Sequence, residues 1–129
     1  MGAQTPHREI HLSVPGEDRF LEMLRGLVGR AARLAGFSFA GIEDFTLAVD
    51  EAAVLLLETR PSALHLDLRG VEPGASGLEA LVSVTEPSES WPPSGFEEDS
   101  RWQVLSALSD TVRFLDPPTV GIGLTQKVR

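Results

Sequence analysis

Asp50 and Glu51 open the stretch Asp50-Glu51-Ala52-Ala53-Val54-Leu55-Leu56-Leu57-Glu58. Adjacent carboxylates on a helix suit proton abstraction or the holding of a hard cation, but both jobs need a second polar group within reach. The following turn, where a reacting helix usually presents that group, is aliphatic. Acids on amphipathic helices are solvated or ion-paired roughly three times as often as they act as bases, and Leu55 and Leu57 read as extensions of the core. Other chemical candidates are thinner still. His7, His11 and His65 show no i, i+4 ligand pair and no carboxylate set at metal spacing, so they read as surface or strand residues and no metal site is expected. Ser106 and Ser109 lie in a helical pattern without a nucleophile-elbow context. Gly121-Ile122-Gly123 is a lone Gly-x-Gly inside a strand pattern, where a close-packing device is the ordinary meaning.

The elements that would position these residues follow from periodicity. Ile10, Leu12 and Val14 alternate with Glu9, His11 and Ser13, the two-residue period of a half-buried strand, which Pro15-Gly16 ends. From Asp18 the residues Phe20, Leu21, Leu24, Leu27, Val28, Ala31, Ala32 and Leu34 recur at helical spacing, with Gly36 placed to cap the helix. After Phe37-Ser38 a second helix carries Ile42, Phe45, Val49, Ala52, Ala53 and Leu56 on one stripe, and Pro61 stops it. Leu64, Leu66 and Leu68, then residues 78–85, read as a hairpin across Glu72-Pro73-Gly74. Residues 86–99, rich in Pro, Ser and acids, have no period and form a loop. A third helix from about Ser100 buries Trp102, Leu105 and Leu108. Residues 112–115 and 119–128 close the chain as strands around Asp116-Pro117-Pro118. The spacing predicts an α/β fold over residues 1–129 as a single domain: a two-layer sandwich with a mixed, mostly antiparallel sheet and about three helices on one face.

Composition narrows the function. With 129 residues, of which 42% are apolar, the chain closes one core without metal or disulfide help. It has no cysteine, which removes thiolate catalysis and fits a reducing compartment. No apolar run approaches the ~20 residues that span a bilayer and the first residues lack a signal-peptide core, so a cytoplasmic protein without membrane contact is expected. A net charge of −8, with only 11 Lys and Arg spread along the chain, opposes direct nucleic-acid binding. A neutral or basic protein partner matches better.

The element order, with Leu47-Ala48-Val49-Asp50-Glu51-Ala52 on the second helix, resembles the serine-kinase-type anti-sigma factors, the RsbW-type branch of the GHKL superfamily, which share a Bergerat or histidine-kinase-like ATPase fold. The pieces that carry the resemblance are Ile42 to Ala52, Arg101 to Val112, and Thr119 to Thr125. It spans nearly the full chain. Active members hold Mg-ATP and phosphorylate a serine of an anti-anti-sigma protein, and the same surface captures a sigma factor. Their nucleotide site needs a Glu followed four residues later by an Asn, so that both share one helix face. Glu51 fills the first place as a vestigial base. Leu55 stands at the Mg-ligand place, and it has no lone pair to offer. Thr59 replaces the family's His in the following turn. Where the family has Asp-x-Gly-x-Gly, this chain has Thr85-Glu86-Pro87-Ser88-Glu89-Ser90, with no glycine and with a Pro that removes an N–H donor. The glycine-rich phosphate cradle before the third helix is replaced by Asp99-Ser100-Arg101-Trp102.

Phosphoryl transfer depends on positioning and charge neutralisation, so the resemblance with these three departures implies no cofactor and no catalytic residue. What it leaves is capture: an anti-sigma factor that sequesters an alternative sigma factor, is released by an anti-anti-sigma protein, and forms a homodimer as its family does. The family's partner-contacting Arg on the first helix falls on Arg25, whose planar fork suits carboxylates; Glu22, one turn earlier, is a weaker candidate. The alternatives are an active serine kinase that binds ATP through substituted contacts, and a ligand-gated binder using the vacated pocket. Trp91 is expected to fold back over that pocket rather than to stand exposed, and Trp102 is expected in the core.

Overall fold

The computed structural model describes residues 8–129. In chain order it contains β1 (Glu9–Pro15), α1 (Leu21–Ala35), α2 (Phe39–Leu57), β2 (Ala63–Arg69), β3 (Gly77–Thr85), α3 (Ser100–Leu108), β4 (Thr111–Phe114) and β5 (Val120–Lys127). This is the expected succession, and the chain is an α/β protein. The sheet is five-stranded in the order β1-β2-β3-β5-β4. It is not mixed: all four neighbouring pairs run antiparallel. The reason lies in the connections. Two helices between β1 and β2 carry the chain down and back, so β2 returns antiparallel to β1. The single-helix crossover through α3 does leave β3 and β4 pointing the same way, but β5 inserts between them and separates the parallel pair.

The register places Leu12, Leu66, Val82, Ile122 and Phe114 in one row across the sheet. With Leu64, Leu68, Leu78, Ala80 and Leu124 this row forms the floor of the core. Phe45, Val49, Ala52, Ala53 and Leu56 of α2, and Leu24, Val28, Ala31 and Ala32 of α1, cover it. Each local choice has a cause. Ser38 caps α2 by accepting the Gly41 N–H at 3.1 Å. Gly36, at φ 103°, closes α1: its N–H reaches the Arg33 carbonyl while the Phe37 N–H reaches that of Ala32, the left-handed cap for which glycine pays no Cβ penalty.

The other face of the sheet is polar, apart from one apolar strip. Leu115 folds across it onto Gly121 and Gly123. A Cβ on Gly121 would overlap the Val82 carbonyl and lie 2.7 Å from Leu115, and one on Gly123 would lie 3.2 Å from Leu115. The Gly-x-Gly is thus a packing device. Among the described residues no helix is long and apolar enough to cross a membrane.

Candidate functional site

The α2 residues singled out by the sequence lie on different surroundings. Leu55 is 3% exposed and belongs to the core, while Leu57 is partly buried against it. Glu51 is half-buried, and its carboxyl is held above the usual carboxylate value, chiefly by burial and then by the charge of Asp50, with Arg101 opposing. Asp50 turns the other way, toward α1, and accepts a hydrogen bond from the Arg25 guanidinium at 2.9 Å. Arg25 remains largely exposed on α1, and Glu22 is exposed one turn before it. Thr59 is buried and donates its hydroxyl back to the Leu56 carbonyl at 2.7 Å.

The loop of residues 86–99 lies against the end of α2. The Ser88 and Glu89 N–H groups both donate to the Thr59 carbonyl, at 2.6 and 3.1 Å, and the Ser88 hydroxyl donates to that of Arg60 at 3.2 Å. Trp91 and Phe96 then turn inward. Trp91 meets Phe114 edge-on at 5.5 Å between centroids, Phe96 meets Phe114 at 4.8 Å and Trp102 at 5.3 Å, and Trp102 lies 4.9 Å from Phe114. Such pairs contribute about 0.5–1.5 kcal/mol each beyond area burial. Trp91 is partly buried against Phe114 rather than standing free on the surface. Trp102 is only partly buried and belongs to this aromatic cluster beside the main core.

At the start of α3, Asp99 caps the helix through the Arg101 N–H at 2.8 Å and binds the Arg101 guanidinium at 2.8 and 3.0 Å. The same guanidinium reaches across to Glu58, the C-cap of α2, with a second bond of 3.2 Å to its other oxygen. Arg101 therefore clamps α3 to α2, and the Asp99 carboxyl is held below its ordinary value by those Arg101 bonds.

Leu55 is thus aliphatic and enclosed, the Ser88 and Glu89 N–H groups are turned onto the Thr59 carbonyl, and the start of α3 is occupied by the ion pairs of Arg101 with Asp99 and Glu58. The cleft left between Leu55, Glu58, Thr59, Glu89, Ser90, Trp91 and Pro93 is about 130 Å³. Pockets for drug-sized ligands run to about 300–1,000 Å³.

His11 and His65 lie on the open face of the sheet. His11 pairs with Asp67 at 2.6 Å and with Glu9 at 3.5 Å. His65 sits between the Ser13 hydroxyl at 2.7 Å and that of Thr85 at 2.6 Å. His7 lies outside the described residues. Among those described, no group of three or more His, Cys, Asp or Glu is placed to hold a metal. Ser106 is exposed; Ser109 buries a hydroxyl that has no partner among the described residues. The His11 pair gives a testable titration. Its imidazole is held above its ordinary value, first by the hydrogen bond that its Nδ1–H donates to the Asp67 carboxylate and then by that residue's charge. The stability of the pair is therefore fully present below the unfolded-state value and is lost as pH rises through the raised folded value. In an NMR titration, Asp67→Asn should lower the His11 midpoint; an unmoved midpoint would remove Asp67 as the cause.

No sequence periodicity announced the Arg25–Asp50 pair, the Arg101 clamp or the contribution of Phe96 and Phe114. The first two join residues 25 and 43 positions apart, and only the helix packing brings them together. No family model matches the chain, and no curated protein is found that resembles it significantly.

Proposed function

We propose that this protein is an anti-sigma factor that acts by occupancy: it sequesters an alternative RNA polymerase sigma factor, yields it to an anti-anti-sigma protein that competes for overlapping surface, and transfers no phosphate. Release then follows mass action in the competing partners. The observation that carries this reading is the enclosure of Leu55 beneath a loop hydrogen-bonded to Thr59, which leaves a surface for binding and no donor set for phosphoryl transfer. Arg25 supports it as well. The residue stands exposed on α1, and Asp50 holds its guanidinium in one orientation, which lowers the cost of ordering it against a partner. A homodimer and a cytoplasmic location belong to the same proposal.

The direct experiment is purification of the tagged chain from its native cell, with the bound protein identified by mass. A sigma factor recovered with wild-type protein supports the proposal; recovery of other partners alone overturns it. The raised Glu51 carboxyl is the one observation that favours a working kinase, since a base poised nearer neutrality takes a proton more readily. A site of about 10 μM affinity would add about 2.7 kcal/mol of stability at about 1 mM ATP. The expected result, with magnesium present, is no thermal shift; a clear rise would restore the kinase.

A further inference from the structure

One groove outside the loop-covered site is open and unusually built. It runs between α1 and α2 as two adjoining hollows of about 430 and 550 Å³ that share Arg25, Gly29 and Ile42. Its floor is Gly26 and Gly29, in the middle of a 15-residue helix. A helix-interior glycine costs about 1 kcal/mol relative to alanine, and no contact among the described residues requires these two. A Cβ at Gly26 would meet no atom within 4 Å, and one at Gly29 would come no closer than 3.9 Å to Ile42 and Thr46. Phe39, 77% exposed, and Leu47, 44% exposed, stand near its two ends.

The groove's charge runs against that of the molecule. The chain carries −8 overall, yet Arg25, Arg30 and Arg33 all line this trough. Arg25 is neutralised by Asp50. Arg30 and Arg33 form no ion pair among the described residues. Glu43, toward the Leu47 end, gives the groove polarity: basic beside Phe39 and weakly acidic at the opposite end. Along its α2 side, from Phe39 to Asp50, the groove extends roughly 17 Å at helical rise, about three turns.

We propose that this groove docks an amphipathic helix of a protein partner, with its apolar stripe over Gly26, Gly29 and Ile42 and its acidic residues against Arg30 and Arg33. A helix fits because the glycines allow close axial approach along a three-turn trough, and anchors at i, i+3, i+4 and i+7 would meet its floor. The acidic requirement comes from two uncompensated guanidiniums on the rim. The inference deepens the capture reading, on which it rests for the biological identity of the partner.

The test uses the full chain and a labelled synthetic peptide of about 15 residues, long enough to cover the trough, with Leu at helical spacing and Glu elsewhere. Anisotropy should show binding that weakens about tenfold or more between low and high salt, since exposed charge pairs are screened. Gly29→Leu, which fills the trough, and the double swap Arg30→Glu with Arg33→Glu should each weaken it about tenfold. A Lys-for-Glu peptide should bind the double-swap protein and not the wild type. Gly26→Ala should raise the melting temperature, because the added Cβ has room and reduces unfolded-state freedom. A scrambled peptide that binds equally well, an acidic peptide that ignores the charge swap, or no binding at all would each overturn the proposal. Self-association of the chain abolished by Gly29→Leu, without peptide binding, would overturn it in favour of an interface between copies. No cell protein enters this measurement, so its failure is distinguishable from a failure of sigma-factor capture.

Discussion

Phe114→Ala is expected to destabilise the protein by about 2–3 kcal/mol, below the usual cost for a fully buried phenylalanine because this ring is only partly covered. It is also expected to release the loop of residues 86–99. Phe114 is the common partner of Trp91, Phe96 and Trp102, so one truncation removes three aromatic contacts and leaves the loop held by the Phe96–Trp102 pair and by its hydrogen bonds to Thr59 and Arg60. Three readouts separate this from ordinary destabilisation: a melting temperature lower by roughly 10 °C, a red-shifted tryptophan emission in the native state, and rapid proteolysis between β3 and α3 well below the melt. Native-state emission and cleavage identical to wild type would mean that the cluster does not secure the loop. The opened variant should still not respond to ATP and magnesium, because Leu55 remains on α2 without an oxygen to give.

Arg25→Ala should weaken partner capture by about 2 kcal/mol or more, close to thirtyfold in Kd, while changing fold stability by less than about 1 kcal/mol, since its ion pair with Asp50 is a single hydrogen bond whose Arg25 end is solvent-exposed. The separation of these effects is the point of the measurement. Asp50→Ala supplies the control. If Arg25 touches the partner, removing Asp50 frees the guanidinium and affects capture only a few-fold; an equal loss in both variants would reduce Arg25 to a support for Asp50. Titration of the purified partner against each variant decides it, and wild-type affinity in Arg25→Ala would eliminate the residue as an anchor.

Local pattern carried most of the architecture. The alternation of Leu64, Leu66 and Leu68, the helical stripe from Phe45 to Leu56, the Gly36 cap and the turn after Arg69 each have causes within a few residues, and all appear in the structure as expected. The sheet's arrangement was less legible. The strands' succession is visible in the chain, but the insertion of β5 between β3 and β4 depends on pairings between distant segments, and so the mixed, mostly antiparallel sheet that the spacing predicts is found fully antiparallel. The loop shows the same division. Its Pro, Ser and acidic composition excludes regular structure, yet its path is set by Trp91 and Phe96 finding Phe114, and by two N–H groups finding one carbonyl.

For the candidate sites the boundary is sharper. The sequence alone determined that the residue four places after Glu51 is aliphatic, with no metal ligand to offer, and that residues 85–90 and 99–102 hold no glycine, because those are properties of residue type. It also marked Arg25, through a resemblance. Only the tertiary structure decided that Asp50 faces α1 while Glu51 faces α3, that Arg101 joins two helices, and that Gly26 and Gly29 lie on the floor of an open basic trough. Side-chain chemistry is local and travels with the residue; charge pairing, burial and grooves are made by contacts between segments far apart in the chain, which exist only once the helices have packed on the sheet.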